Sequence, residues 1–200
     1  MPPRPDKRRN MLNAAYTLLL RDGPTGLSMD ALADLASVSK PTIYTHFGSK
    51  AELCRALVED LASELVTGVA ECEFAGASGS ERVKRIARAC LAVMADSRCI
   101  ALYRVLVAEG PRDPTLREIL VNAALAPTER LVMLAFDDMI AQGMLRVPSS
   151  ELAVHAFFGL IKGRWLVPVL TGVRPPLTGE EVEQIAALTA SVLAFDAERT

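Results

Sequence analysis

The stretch from Ser28 to Leu53 constrains this 200-residue chain most. It divides into two short helical patterns, each opened by a serine able to accept from a first-turn amide. Ser28 is placed to cap the first, in which Ala31, Leu32, Leu35 and Ala36 keep one face. Ser39 is placed to cap the second, where Pro41 is tolerated because first-turn amides have no intrahelical acceptor. This second pattern is barely two turns long, with Ile43 and Phe47 as inward anchors. Its other face carries Lys40, Thr42, Tyr44, Thr45 and His46: an ammonium, two hydroxyls, a phenol and an imidazole. A helix so short is unstable alone, so packing must hold it and leave the polar face on display. That describes a helix-turn-helix whose second helix fits a DNA major groove. The alternative is a three-helix bundle that binds no DNA, but a merely solvated face would favour Glu and Ala over this set.

The matching stretches are Ala33–Ala36, Val38-Ser39-Lys40-Pro41-Thr42-Ile43-Tyr44, His46-Phe47, and Ser49-Lys50 with Glu52-Leu53. In spacing and residue type they resemble the amino-terminal domain of TetR-type one-component transcriptional regulators, over about half of that domain. Ser37 departs from the pattern, since the family usually places glycine in the turn. A left-handed backbone there costs a serine on the order of 1 kcal/mol. The resemblance implies that Lys40, Thr42 and Tyr44 contact DNA, with Thr45 and His46 beside them. Ser28, Ser39 and Lys50 complete the candidate DNA-binding set. Lysine can donate to guanine and the threonine methyl can meet a thymine methyl. Tyr44, His46 and Lys50 suit phosphates, which position a helix without reading sequence.

Charge is placed to suit that arrangement. Residues 1–55 carry a formal +3 and the remainder −5, closing on −2. A mildly basic head on an acidic body fits DNA held at one end, although the asymmetry alone identifies nothing. Residues 1–7 form a Pro/Arg-containing arm, and Arg4, Lys7, Arg8 and Arg9 either reach DNA or merely solubilise. Cys54, Cys72, Cys90 and Cys99 lie 18, 18 and 9 apart, without the close pairs of a zinc site, and read as free thiols of a cytoplasmic protein. No apolar run is expected to reach the roughly 20 residues of a membrane span.

Helical periodicity continues along the chain, and the fold expected is all-α. A first helix carries Met11, Leu12, Ala15, Leu18 and Leu19 and stops at Asp22-Gly23-Pro24. Ser49 and Glu52 have the spacing of a capping box, opening a long helix with Leu53, Leu57, Leu61, Leu65 and Val69, to about Glu73. Lys50, in its first turn, can share one phosphate with the open amides. The chain then divides into a helix-turn-helix domain, 1–55, and a helical effector-binding and dimerisation domain, 56–200. Phe74–Ser80 reads as a loop. Ser80, Thr115, Ser150 and Thr178 are candidate caps of later helices, with Pro127 interrupting or restarting one and Pro168 bending another.

The last two helices carry a small-residue strip, Ala156, Gly159 and Gly163, and an expected inward set of Ile185, Leu188, Ala190, Val192 and Phe195. In the family such helices pair with their symmetry mates, which implies a homodimer. Ala101–Pro114 and Phe157–Leu177 also resemble the AefR-like branch of carboxy-terminal domains, more loosely. A cavity there is expected to hold a small apolar or amphipathic effector, with Met94, Tyr103, Arg104, Phe136, His155, Phe158, Arg164 and Trp165 as candidate lining. Ordinary core packing is the alternative for each, and a Glu151 ion pair for His155. No nucleophile elbow, metal-spaced ligands or glycine-rich phosphate loop appears, so neither an enzyme nor a cofactor is expected. The function this implies is a ligand-responsive repressor binding a palindromic duplex operator; a partner module on the same fold is the other class.

Overall fold

The structure, a computed structural model, describes residues 7–72, 74–145 and 147–194. Among them the chain is helical, with no strand beyond one isolated bridge between Leu145 and Ala194. It divides into two compact units. The first comprises the chain up to Leu61 together with Ser97–Ala124; the second comprises Ala62–Asp96 together with the chain from Leu125 on.

In the first unit α1 spans Lys7–Asp22 and buries Met11, Leu12, Ala15, Tyr16, Leu18 and Leu19. Gly23, with φ 70°, ends it, and a 3-10 turn over Pro24–Gly26 leads on. Leu27 is buried just ahead of α2, Met29–Leu35, and α3 runs Lys40–Phe47. Then come α6, Ser97–Glu109, and α7, Pro114–Glu118, with α6 packed against α1. Leu35 does not share the inward face: it is 40% exposed, while Met29, Leu32 and Ala33 are buried. Helix α4, Lys50–Ala70, contributes residues to both units and ends three residues before the expected Glu73.

The second unit holds α5, Gly79–Met94, α8, Ala126–Ala141, α9, Ser150–Lys162, α10, Leu166–Leu170, and α11, Gly179–Leu193. Helix α11 lies on α5 and α9, and α8 on α9. Three caps differ from expectation, because a serine or aspartate nearer the chain entry reaches the amides first. Ser78 caps α5 in place of Ser80, Asp113 caps α7 in place of Thr115, and Ser149 caps α9 in place of Ser150. Thr178 and Glu181 form a complete capping box on α11. At α4 only half a box exists. Ser49 Oγ accepts from the Glu52 amide at 3.1 Å, but the Ser49 amide donates to Phe47 and the Glu52 carboxylate takes Arg55.

Gly163, with φ 41°, separates α9 from α10, so the break falls there rather than at Pro168. A π-helical segment, Ile119–Leu125, joins α7 to α8 just before Pro127, which has no amide to donate. On α11 the buried residues are Ala186, Thr189, Ala190 and Leu193; Leu188 and Val192 face outward instead, 57% and 58% exposed. Phe195 lies outside the described residues. Pro114–Ala141 is by length and composition apolar enough to cross a membrane, which amends the expectation of no such run. Asn122, Glu129 and Arg130 interrupt it, so no unbroken apolar stretch announces it.

Candidate nucleic-acid interface

The turn between α2 and α3 is built by a Schellman motif. The Val38 amide donates to the Ala33 carbonyl at 3.0 Å and the Ser37 amide to Asp34 at 3.2 Å. Ser37 sits at φ 53°, the one positive-φ residue other than glycine among those described. The left-handed turn is thus kept with a serine at the glycine position. Ser28 Oγ accepts from the Ala31 amide at 3.1 Å, and Ser39 Oγ from the Thr42 amide at 3.3 Å. These caps and the buried Ile43 and Phe47 fix α3 against α2.

Held this way, α3 turns Lys40, Tyr44, Thr45 and His46 outward, all exposed, with Thr42 half-buried. Part of this chemistry is already engaged within the unit. Lys40 Nζ lies 2.6 Å from Asp30 Oδ1 on α2, and that hydrogen bond raises the lysine pKa above its ordinary value. Thr45 Oγ1 donates to the Pro41 carbonyl at 2.9 Å, and the Thr42 and Ser39 hydroxyls share a hydrogen bond of 2.8 Å. Lys50 Nζ donates to both carboxylate oxygens of Glu109, at 2.8 and 3.1 Å. The caps and the Thr45 bond restrict those hydroxyls, leaving Lys40, Tyr44 and His46 as the most projecting polar groups.

The supports of α3 and α4 were not evident from sequence. The Tyr16 hydroxyl lies 2.9 Å from the Leu57 carbonyl and 3.2 Å from Asp60, tying α1 to α4. Arg9 pairs with the same Asp60, and the Arg8 guanidinium stands 5.6 Å from the Phe47 ring centroid. Thus two arginines considered for the arm brace the unit's own helices. Asp30 and Glu109, partners of the two candidate lysines, carried no local signal either; Glu109 lies 59 residues from Lys50.

The candidate effector residues separate. Tyr103 and Arg104 stand on α6 of the first unit, both half-buried. In the second unit Phe136 and Phe158 each meet Phe157 edge-to-face, with centroids 5.3 and 5.2 Å apart. Trp165 is buried and donates its indole N–H to the Ile161 carbonyl at 2.6 Å, while Met94 is half-buried. His155 and Arg164 are exposed. Burial pushes the Cys54 and Cys90 thiols up to about 12, which keeps both as inert thiols at neutral pH. All four cysteines are free, and no cluster of metal-ligating side chains occurs among the described residues.

A capped helix pair presenting a short polar helix, ahead of a larger helical unit, defines a helix-turn-helix DNA-binding regulator. Residues 11–57 match the family model of bacterial regulatory proteins of the tetR family, and residues 81–195 that of the carboxy-terminal domain of AefR-like transcriptional repressors. The chain belongs to the TetR family of transcriptional regulators. A 67-residue stretch is 42% identical to the HTH-type transcriptional activator FasR of Mycolicibacterium smegmatis, covering 34% of this chain and 31% of that protein. A 49-residue stretch is 45% identical to the DNA-binding transcriptional repressor TetR of Mycobacteroides abscessus, covering 24% of this chain and 26% of that one. The match therefore spans less than a third of either relative. The solved structure of the flavonoid-responsive regulator FrrA superposes with a TM-score of 0.67, covering 97% of this chain and 98% of that one at 27% identity. The protein is a DNA-binding transcriptional regulator and not an enzyme.

Proposed function

We propose that the protein is a cytoplasmic, homodimeric repressor that binds a palindromic operator and is released by a small apolar or amphipathic effector. The observation that carries the assembly is the outward face of α9, α10 and α11. Leu152 on α9, Val167 on α10, and Leu188 and Val192 on α11 are 53–65% exposed, and Ala156, Gly159 and Gly163 are exposed at helical spacing from Leu152. A β-carbon at Gly159 would meet nothing within 4 Å, so the single chain has no need of glycine at that position. Close approach of a second copy supplies the need, and an apolar face of this kind on a monomer points to a partner. His155 and Arg164, exposed on the same segment, fit the polar border of that interface better than an effector cavity.

The effector reading rests on the second unit. Phe136, Phe157 and Phe158 form a run of edge-to-face rings, with the buried Trp165 and the half-buried Met94 as further apolar candidates. An aromatic ligand suits such surroundings, and the flavonoid-responsive relative is consistent with one. Repression is favoured by the AefR-like repressor match over residues 81–195. Activation is the second reading, favoured by the 67-residue match to FasR. A reporter driven by the promoter adjoining the gene tests the sign. Expression rising on deletion of this protein supports repression, and expression falling supports activation.

A further inference from the structure

We propose that Glu109 is a positioning residue for DNA binding: it competes with a backbone phosphate for the Lys50 ammonium, and so sets the affinity of the helix-turn-helix unit. The inference rests on Lys50 being a phosphate contact. Lys50 is the first residue of α4, where the open amides of a helix start already favour an anion. Its ammonium is nonetheless occupied by both oxygens of Glu109, at 2.8 and 3.1 Å. The two side chains are 33% and 36% exposed, so a phosphate can reach the pair.

The backbone that carries this carboxylate is held in place at the end of α6. The Gly110 amide donates to the Leu106 carbonyl at 2.9 Å, and the Glu109 carbonyl accepts from the Arg112 and Asp113 amides at 2.9 and 3.0 Å. A β-carbon at Gly110 would stand 2.4 Å from the Leu106 carbonyl oxygen, so the turn closes this tightly only with glycine. Asp113, the next carboxylate along, is committed to the α7 amides of Thr115 and Leu116 at 2.9 and 3.3 Å. The backbone at Glu109 is therefore fixed, and it places the side chain within reach of Lys50.

A phosphate that recruits Lys50 must displace this carboxylate, exchanging one ionic hydrogen bond for another. Without the carboxylate the ammonium gives up only water. Part-exposed pairs of this kind are worth up to about a fivefold change in an equilibrium. The contact itself still counts one phosphate, and log K falls by about 0.9 per decade of salt for each phosphate neutralised.

The test is a double-mutant cycle read by fluorescence anisotropy on a mixed-sequence duplex of about three helical turns, roughly 30 base pairs, over a salt series. The proteins are wild type, Lys50→Ala, Glu109→Gln, their combination, and Glu118→Gln as a control for losing one negative charge from an exposed site on α7. Lys50→Ala is expected to flatten the salt slope by about 0.9 for each DNA-bound chain, hence by nearly two units for a dimer. Glu109→Gln is expected to bind tighter than the Glu118→Gln control by about two- to fivefold for each DNA-bound chain, and to lose that gain in the Lys50→Ala background. An unchanged slope for Lys50→Ala would remove the phosphate contact, and Glu109's role with it. A flattened slope with no gain from Glu109→Gln beyond the control would overturn Glu109 alone. If Glu109→Gln folds poorly, Glu109→Asp takes its place in the cycle, since it keeps the charge but withdraws the carboxylate.

Discussion

Ser37 shows how a single residue bears on the DNA-reading turn. Its φ of 53° lies where glycine has no steric penalty and serine does. Ser37→Gly is expected to raise stability by about 0.5–1 kcal/mol, net of glycine's greater freedom when unfolded, and to leave DNA affinity unchanged. Urea denaturation measures it; a loss of stability would mean the side chain contributes something the turn geometry does not show. At the reading face, Lys40→Ala is expected to cost about 1–3 kcal/mol of operator affinity and relax preference at one base position per half-site. Titration against single-base operator variants checks this, and unaltered discrimination at every position would count against Lys40 as a base contact. The polar face of α3 was legible in the sequence because Ile43 and Phe47 fix which side is inward. The engagement of Lys40 by Asp30 was not, since nothing local marks that pair.

At the scale of elements, periodicity located the helices and misjudged several of their ends and faces. An apolar residue at helical spacing is assigned a face by its neighbours, but the partner helix decides which face is covered. Leu35, Leu188 and Val192 fit their stripes and yet point outward. Caps slipped by one or two residues because neighbouring serines compete for the same amides, as Ser149 and Ser150 do. The contact of α5 with α11 carries a testable ion pair. Arg88 Nη2 lies 2.8 Å from Glu183 Oε2, and this hydrogen bond holds the Glu183 carboxyl below its ordinary pKa. A carboxyl depressed in the folded state adds stability that is full above the ordinary carboxylate pKa and is lost as pH falls through the depressed one. Thermal denaturation between about pH 3 and 6 should therefore show a shallower acid loss for Glu183→Gln than for wild type. Identical acid profiles would mean that the exposed pair contributes nothing measurable.

For the molecule as a whole, the order of a helix-turn-helix followed by a helical domain was readable from motif and periodicity. The first unit also takes in α6 and α7, a long-range association that no local pattern announces. The Lys50–Glu109 pair belongs to it, for the same reason. Assembly has its own test. Gly159→Trp adds bulk where the single chain has space, so it should fold, sediment as a monomer, and lose operator binding. A Gly159→Trp dimer that still binds would place the interface elsewhere. In the proposed assembly two copies of α3 read one DNA site. Its most direct measurement is a stoichiometric mobility-shift titration on the DNA adjoining the gene, comparing wild type with Lys40→Ala/Tyr44→Ala. Two chains per site, wild-type affinity in the range of about 10⁻⁸–10⁻¹¹ M, and a double variant reduced to non-specific binding are expected. Equal affinity of the two proteins for that fragment would contradict it.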